Sequence, residues 1–379
     1  MRVMIVVTHL LGTGHLSRAL TLGRAFAAAG DAVTVVSGGG PVPHLDATGI
    51  RLVQLAPLRS DGVDFARLLD AAGDPADAGT MAARREQLLG AFKATAPDLL
   101  ITELFPFGRR ILRDEFTDLL EVASAQRPRP AICASVRDIL APPSKPAKAR
   151  LADDLVARFY DAVLVHSDPA ITPLEASWPV SPALAGKLRY TGFVAPPAAA
   201  RDDRCLGAGE VLVTAGGGDV GAHIFDAALQ AAVQRPDIRW RLLIGGADAA
   251  KTAARRRTSA PANALIEPAR PEFRQMLHHA AVSVSMCGYN TALDVLQAGT
   301  PALFIPFDAG DEVEQGLRAD AMSRLPGILH LPAAELTAFS LLHGVERLLL
   351  SPRQSPPAKG FDGAAQTVRI ARDLLAALR

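Results

Sequence analysis

The stretch of sequence that decides the fold is "SVSMCGYNTALDVLQAGTPALFIPF", Ser283–Phe307. Its apolar start runs directly into Gly288, Tyr289 and Asn290, which predicts a buried strand that turns into a helix. A second glycine turn, Gly299–Pro301, ends that helix and opens another apolar run. Strand, helix and strand in this order are typical of a parallel sheet, and the carboxyl ends of such strands bind ligands. The polar residues between the strand and the helix suit a phosphate and a sugar ring.

The same alternation of apolar runs and amphipathic stretches continues on both sides and stops once. Residues Arg189–Glu210 are rich in Pro, Gly, Ala and charge, which is typical of a linker. We therefore predict an α/β protein of two Rossmann-like domains, residues 1–195 and residues 208–360, that face each other across a cleft. A last helix is predicted over residues 361–379.

The composition of the 379 residues excludes several classes of protein. A formal net charge of +1 gives no electrostatic case for a nucleic-acid partner. The three cysteines are scattered and odd in number, which argues against a disulfide framework or a zinc site. No apolar run approaches the ~18 residues of a membrane span. We expect a soluble cytoplasmic protein, and a peripheral contact with the inner membrane surface stays open.

The first glycine loop, "HLLGTGHLS", lies between the first strand and the first helix. Gly12, Thr13 and Gly14 let the backbone approach a ligand, and the helix start that follows offers N–H groups to an anion. A nicotinamide dinucleotide is disfavoured, because Ser17 replaces the third glycine of that fingerprint and no carboxylate ends the second strand. The sequence predicts neither a cofactor nor a bound metal, since no Asp-x-Asp motif follows a strand.

His15 is the candidate general base. It lies at a helix start, where the dipole disfavours the imidazolium and keeps a neutral imidazole that can accept a proton from a hydroxyl. A ligand contact and a purely structural role are the alternatives.

Three further loops are candidates for the binding of a nucleotide-diphosphate sugar. Asp294 lies four and three residues after Asn290 and Thr291, on one helix face, where it can accept hydrogen bonds from ribose hydroxyls. The alternatives are a plain strand–helix turn, a carboxylate that only complements a helix dipole, and a solvated surface. The candidate residues are Gly216, Gly217 and Gly218 in the second loop, Gly288, Tyr289, Asn290, Thr291 and Asp294 in the third, and Glu314 and Gln315 in the fourth.

Together these loops resemble the GT-B glycosyltransferases, and most of all the family 28-like branch that contains the peptidoglycan N-acetylglucosaminyltransferase. The matching segments are Gly12–His15, Gly216–Gly218, Cys287–Asp294, "AGTPALFIPF" and Glu314–Gln315. The chain also resembles predicted bacterial glycosyltransferases in "HLLGTGHLSRA", "LFPFGRR", "SVRDI" and "GYNT". Asp294 stands where the family has a glutamate, and the first loop lacks the doubled glycines. These departures indicate an acceptor other than the peptidoglycan lipid.

The resemblance implies a metal-independent transfer of a sugar from a nucleotide-diphosphate sugar on the C-terminal domain to an acceptor hydroxyl on the N-terminal domain.

 The resemblance also implies that the donors are UDP-linked sugars. It further implies that the last helix packs onto the N-terminal domain. Glu103, at the end of a strand in "ITELFPFGRR", is the second candidate for the base.

Two other functions remain open at this stage. A nucleotide-sugar hydrolase or 2-epimerase of the same fold would use water or the sugar itself, and a non-catalytic module would bind the donor without turnover. The acceptor is unknown, and lipid-linked and small molecules both remain open. Leu104, Phe105 and Phe107 beside Arg109, Arg110 and Arg113 suggest contact with a lipid phosphate or an anionic membrane, and a solvated helix start is the alternative.

Overall fold

The computed structural model describes residues 1–10, 12–60, 67–201, 203–215, 221–246, 248–308, 313–355 and 360–378. The chain forms two compact units. The N-terminal unit consists of residues 1–169, 173–194 and 360–379, and the C-terminal unit consists of residues 170–172 and 195–359.

The N-terminal unit is an open α/β sheet with helices on its faces. Its elements, in chain order, are β1 (Arg2–Val7), α1 (Gly14–Ala28), β2 (Ala32–Ser37), β3 (Ile50–Gln54), β4 (Arg59–Ser60), β5 (Leu68–Leu69), α2 (Ala78–Thr95), β6 (Leu99–Glu103), α3 (Arg113–Ala125), β7 (Ala131–Arg137), α4 (Pro146–Phe159), β8 (Ala162–His166), α5 (Pro182–Ala185) and β9 (Leu188–Tyr190). Short 3₁₀ turns cover Arg110–Leu112 and Leu174–Ala176.

The C-terminal unit repeats this architecture with a second sheet. Its elements are β10 (Val211–Thr214), α6 (Ala222–Gln234), β11 (Trp240–Ile244), α7 (Ala249–Arg257), β12 (Ala264–Pro268), α8 (Phe273–Leu277), β13 (Val282–Ser285), α9 (Tyr289–Ala298), β14 (Ala302–Phe304), α10 (Glu314–Met322), β15 (Ile328–His330) and α11 (Ala338–Leu349). A 3₁₀ turn covers Ala333–Glu335. The last helix, α12 (Gly363–Leu378), belongs to the N-terminal unit.

Both large sheets are parallel, and each changes direction of winding once. The seven-stranded sheet has the order β3-β2-β1-β6-β7-β8-β9, and the six-stranded sheet has the order β12-β11-β10-β13-β14-β15. The order reverses between β1 and β6 in the first sheet and between β10 and β13 in the second. In open α/β sheets these reversal points are where ligands bind, at the carboxyl ends of the strands.

Continuous apolar runs form the strands because both faces of the first sheet are covered. Alternate residues of β1 enter two different cores: Met4 and Val6 belong to one, and Val3, Ile5 and Val7 to the other. The second core also contains Val368 and Ala371 of α12. The predicted α/β fold class with two parallel Rossmann-like sheets, and with the last helix on the N-terminal sheet, is confirmed.

The predicted linker, Arg189–Glu210, begins too early in the sequence, and part of it is hydrogen-bonded to the C-terminal unit. Arg189 and Tyr190 are part of β9, whose short length hides it among the Pro- and Gly-rich residues that follow. Further along, the carbonyl oxygens of Pro196 and Pro197 accept hydrogen bonds from Gln297 and Arg274, at 3.0 and 2.7 Å. This part of the predicted linker is therefore bound to the C-terminal unit.

Candidate functional site

In the N-terminal unit the candidate residues lie at the reversal point of the sheet. The loop with Gly12, Thr13 and Gly14 follows β1, and all three residues are exposed. Gly12 has φ of +65°, a conformation that glycine adopts without strain. Glu103 is the last residue of β6, the strand beside β1. The fold thus brings the first glycine loop and Glu103 to neighbouring strand ends.

His15 and Glu103 are hydrogen-bonded to each other. His15 Nδ1 lies 3.0 Å from Glu103 Oε1. The His15 side chain keeps 14% of its surface exposed, whereas that of Glu103 keeps 1%. His15 and Glu103, which the sequence offered as alternative bases, therefore form one hydrogen-bonded pair. In this pair the buried carboxylate of Glu103 contacts the partly exposed imidazole of His15.

Arg18, one turn after His15 on α1, is the counter-charge of this pair. Its Nη2 contacts the same Glu103 oxygen and lies 3.2 Å from His15 Nδ1. Burial lowers the pKa of His15 to about 4; the Glu103 hydrogen bond raises it, and the charges of Arg18 and Arg109 lower it further. Burial alone would raise the pKa of Glu103, but Arg18 and His15 outweigh it and hold that pKa well below its usual range. At neutral pH the arrangement is a neutral imidazole on an ionised carboxylate.

Behind Glu103 the hydrogen bonds continue across the sheet. Ser135 Oγ lies 2.5 Å from Glu103 Oε2 and 2.9 Å from His166 Nε2. His166 Nδ1 lies 2.8 Å from Thr191 Oγ1. All four residues are buried. The carboxylate is therefore held on one side by α1 and on the other by a row of polar side chains from β7, β8 and the residue after β9.

The segment after β6 is held in an unusual backbone conformation. Leu104 and Arg109 have φ of +70° and +57°, in the left-handed region that residues other than glycine rarely adopt. Such strain is found most often at functional sites. Arg109 Nε donates to Thr8 O at 2.6 Å, and Arg110 Nη1 donates to Phe107 O at 2.8 Å. The segment is thus fixed beside the end of β1.

The predicted membrane contact through Phe105 and Phe107 is wrong for these two side chains. They are 1% and 3% exposed and lie in the core of the N-terminal unit, where Phe105 stacks on Phe116. The prediction failed because the side chain of an apolar residue that follows a strand can pack into the core instead of facing solvent. Arg113 is exposed. None of the described helices is both long and apolar enough to cross a bilayer.

In the C-terminal unit the start of α9 lies at the second reversal point. Gly288 is the N-cap of α9, and no side chain among the described residues caps the helix. Asn290 and Thr291 do not cap it, because both lie inside the first turn, and Asn290 is exposed. A Cβ added to Gly288 would meet no atom within 4 Å. An open glycine at an uncapped helix start is a suitable place for an anion.

The loop with Gly216, Gly217 and Gly218, which follows β10, lies outside the described residues. Tyr289 lies in the first turn of α9, half-buried, and the guanidinium of Arg318 lies 5.7 Å from the centre of its ring. Arg318 also donates to Cys287 O at 2.9 Å. Cys287 is buried, in agreement with a small core residue rather than a nucleophile.

Asp294 is half-buried on the second turn of α9, and it already has a partner. Its Oδ1 accepts from Arg274 Nε at 2.7 Å, and no other described residue hydrogen-bonds its carboxylate. Burial raises the pKa of Asp294, and the charge of Arg274 opposes that rise. Arg274 also donates to Gln297 Oε1 at 2.9 Å. One carboxylate oxygen, Oδ2, is left for a ligand.

Glu314 and Gln315 begin α10 and are both half-buried. Gln315 Oε1 accepts from the backbone N–H of Phe307 at 3.2 Å, so its amide NH₂ points away from this bond. The hydrogen bond joins the helix start to the end of the preceding strand segment. An amide fixed in this way can present its donors to a hydroxyl group.

Sequence reasoning missed three residues that contact the candidates, which are Arg18, Ser135 and Arg274, and two that connect to Glu103 through Ser135, which are His166 and Thr191. Arg18 could have been found, because it lies three residues after His15 on a helix and so shares its face. Ser135 and His166 lie in predicted strands near their carboxyl ends, but only the strand order shows that they adjoin Glu103. Thr191 and Arg274 gave no signal, because their contacts join parts of the chain far apart in sequence.

A family model matches part of the chain. Residues 211–372 match the model of the glycosyltransferase family 28 C-terminal domain. No curated protein matches the chain by sequence. Among the described residues, no group of three or more His, Cys, Asp and Glu could hold a metal ion.

Solved structures of similar fold span nearly the whole chain. Acinetobacter baumannii MurG is 14% identical, with a TM-score of 0.62 over 100% of this chain and 99% of that chain. The calicheamicin glycosyltransferase CalG4 is 18% identical, with a TM-score of 0.59 over 99% of this chain and 94% of that chain. The glycosyltransferase VinC, solved in complex with dTDP, is 15% identical, with a TM-score of 0.57 over 100% and 98%. At these identities the likeness shows a shared GT-B fold.

Proposed function

We propose that the chain, which has a GT-B fold and whose residues 211–372 match the glycosyltransferase family 28 C-terminal domain, moves a sugar from a nucleotide-diphosphate sugar to an acceptor hydroxyl. The observation that carries the proposal is the 3.0 Å contact between His15 and Glu103 at the reversal point of the N-terminal sheet. A neutral imidazole anchored to an ionised carboxylate is suited to accept a proton from a hydroxyl.

His15 is the proposed general base, and Glu103 is its anchor rather than a second base. With Nδ1–H donated to Glu103, the Nε2 lone pair takes the proton of the acceptor hydroxyl. The hydroxyl oxygen forms a bond to the anomeric carbon as the bond from that carbon to the diphosphate oxygen breaks. The diphosphate leaves with the bonding electron pair, and His15 holds the proton. Gly12, Thr13 and Gly14 would then contact the acceptor.

The donor is proposed to bind the C-terminal unit. The uncapped start of α9 with Gly288, and the loop with Gly216–Gly218, would hold the diphosphate through backbone N–H groups. Asp294 Oδ2 would accept from ribose hydroxyls, Glu314 would accept from the sugar hydroxyls, and the Gln315 amide would donate to them. The complex of VinC with dTDP supports a nucleoside diphosphate on this fold. UDP-linked sugars and a metal-independent reaction are the proposed specifics.

The test of this proposal is a pair of substitutions at His15. His15→Ala should lower kcat by at least about 100-fold, the usual contribution of a general base. Nucleotide affinity should stay within about 0.5 kcal/mol, because the donor is assigned to the other unit. His15→Gln can keep a hydrogen bond to a ligand but cannot accept a proton at neutral pH.

Kinetics with a UDP-sugar and calorimetry with UDP give the two readouts. If His15→Gln retains activity while His15→Ala loses it, His15 binds a ligand and is not the base. Full activity in both variants would remove His15 from the reaction altogether.

A nucleotide-sugar hydrolase or 2-epimerase is the alternative. Incubation of the enzyme with donor alone separates the two, because a transferase needs the acceptor for steady turnover. Steady release of UDP or a changed sugar without acceptor would favour the alternative. Binding of donor with no turnover under any acceptor would leave a non-catalytic module. A cytoplasmic location with peripheral membrane contact through the exposed Arg113 is the accompanying proposal on location.

A further inference from the structure

The row of polar side chains behind Glu103 is more than an isolated buried hydrogen bond. Glu103, Ser135, His166 and Thr191 come from neighbouring positions across the sheet and are 1%, 0%, 0% and 2% exposed. Burying a hydroxyl and an imidazole is costly unless both are fully hydrogen-bonded. Apolar residues in place of Ser135, His166 and Thr191 would avoid that cost, and Ala134, Val136 and Val165 beside the first two are apolar.

The direction of each hydrogen bond follows from the ionised carboxylate at one end. Glu103 can only accept, so Ser135 Oγ–H donates to Oε2 over 2.5 Å. The Ser135 proton is then used, and His166 must donate to Ser135 through Nε2–H over 2.9 Å. His166 Nδ1 is left as an acceptor for the hydroxyl of Thr191 at 2.8 Å. Thr191 Oγ1 also lies 2.7 Å from Gly192 O, which competes for that proton.

The neutral form of His166 that this scheme needs agrees with its surroundings. Burial lowers the pKa of His166 to about 3, the charge of Arg18 lowers it further, and the charge of Glu103 raises it. The charged groups that face His15 itself are Glu103, Arg18 and Arg109. The donors of Ser135 and His166 therefore both point toward Glu103.

The row determines how Arg18 and His15 share the oxygens of Glu103. An arginine can take both oxygens of a carboxylate in a two-pronged pair, which is a favoured geometry. Here Ser135 occupies Oε2, so Arg18 and His15 share Oε1. Without the serine hydroxyl, Glu103 could turn both oxygens to Arg18 and leave His15 Nδ1–H without its acceptor.

We infer that Ser135 and His166 are positioning residues for His15: by holding one oxygen of Glu103 they keep the other for the imidazole and fix its tautomer. This inference rests on the proposed role of His15 as the base. The two residues touch neither donor nor acceptor in this scheme. Their effect should appear in kcat and in the state of the His15 ring, and nucleotide affinity should not change.

The test compares Ser135→Ala with a matched pair at His166. His166→Gln keeps an N–H donor for Ser135, whereas His166→Met has a similar length and no donor. We expect Ser135→Ala and His166→Met to lower kcat at least about 10-fold with UDP affinity within about twofold, and His166→Gln to stay within about threefold of the wild type. The His15 ring should lose its Nδ1–H signature in the first two variants, as read from its ¹⁵N shifts.

Equal kcat per folded molecule in all three variants, with unchanged His15 ¹⁵N shifts, would overturn the inference. The row of polar side chains would then have only a structural role. The wild type supplies a check that needs no variant: His166 should carry its proton on Nε2 at pH 7. A proton on Nδ1, or on both nitrogens, would overturn the scheme. If His15→Gln is fully active, the proposed base fails, whereas the ¹⁵N readouts still report whether the row fixes the His15 ring.

Discussion

His15 and His166 are both held neutral inside the N-terminal unit, and this ties the stability of that unit to pH. Burial, the largest cause for both, lowers the pKa from 6.5 to about 4 for His15 and to about 3 for His166. The unfolded chain binds both protons near pH 6.5, whereas the folded chain does not. The stability that each histidine contributes is therefore complete above pH 6.5 and is lost as the pH falls toward its folded pKa.

We expect the free energy of unfolding of this unit to fall between pH 6.5 and pH 4, by up to about 1.4 kcal/mol per pH unit for each histidine. The chain has two tryptophans, and Trp178 is the one in the N-terminal unit. Urea unfolding of a Trp240→Phe variant, followed by Trp178 fluorescence, measures the slope, and His15→Gln in that background should reduce it. A flat profile between pH 6.5 and pH 4.5 would contradict the neutral pair.

Asp294 carries the corresponding prediction for the C-terminal unit. Asp294→Asn keeps the shape of the side chain but removes the charge that a ribose hydroxyl would meet, so UDP binding should weaken by about 1.5–3 kcal/mol. Gln297→Met is the control, because Gln297 contacts Arg274 and Pro196 but is not proposed to touch the donor. Calorimetry with UDP measures both. An equal loss in the two variants would assign the effect to the Arg274 contacts and not to the nucleotide.

At the scale of elements, the end of α2 offers a test of backbone strain. Ala96, its C-cap, has φ of +42° and ψ of +61°, the left-handed conformation that glycine usually provides. That conformation costs a residue with a Cβ about 1–2 kcal/mol, and glycine loses about 0.5–1 kcal/mol of backbone entropy. Ala96→Gly should therefore stabilise the unit by about 0.5–1 kcal/mol.

The same substitution inside the same helix is the control. Ala83 is exposed in α2, where Ala83→Gly should destabilise by about 1 kcal/mol. Urea unfolding followed by Trp178 fluorescence measures both. Destabilisation in both variants would show that the Ala96 strain is negligible.

The elements that the sequence predicts well are those with one dominant signal. Continuous apolar runs such as Arg2–Val7 and Trp240–Ile244 can only be strands covered on both faces, and both are. β9 was missed because three residues beside a Pro-rich stretch carry too little pattern. The residues around α8, Pro271–Ala280, have a helical pattern, but the helix itself covers only Phe273–Leu277, because residues on either side form turns.

The candidate site, too, could be predicted from the sequence only in part. Glycine loops and His15 could be predicted, because local spacing places them after strands and at helix starts. The contact of His15 with Glu103 could not, since it joins residues 88 positions apart. The same holds for the pair of Asp294 with Arg274, 20 positions apart, which only the packing of α8 beside α9 brings together.

At the scale of the whole molecule, the docking of α12 depends on one glycine. A Cβ on Gly363 would lie 2.4 Å from Gly192 O and 2.8 Å from the Phe193 backbone, closer than atoms can approach. Gly363→Ala should therefore destabilise the N-terminal unit by about 1–3 kcal/mol, as overpacking does. Gly90→Ala is the control, because its added Cβ meets no atom within 4 Å and should favour α2.

Trp178 fluorescence in the Trp240→Phe background should report the loss from Gly363→Ala, whereas Trp240 fluorescence in a Trp178→Phe background should not change. An unaltered Trp178 transition would mean that α12 contributes little to the unit. A change in the Trp240 transition alone would contradict the placement of α12 on the N-terminal unit.

Because α12 follows the whole C-terminal unit in the sequence, the N-terminal unit begins to be synthesised first but is completed last. The ribosome has completed residues 1–194 when the segment from Gly360 onward is still to be made. At about 5–20 residues per second the interval is on the order of ten to thirty seconds. During that time α1 covers that side of the first sheet without α12, and the positions of Val368 and Ala371 in the core are not yet filled. The half of the protein that emerges first waits for the other half before it can close its core, and in the cell that interval is when a chaperone would find it.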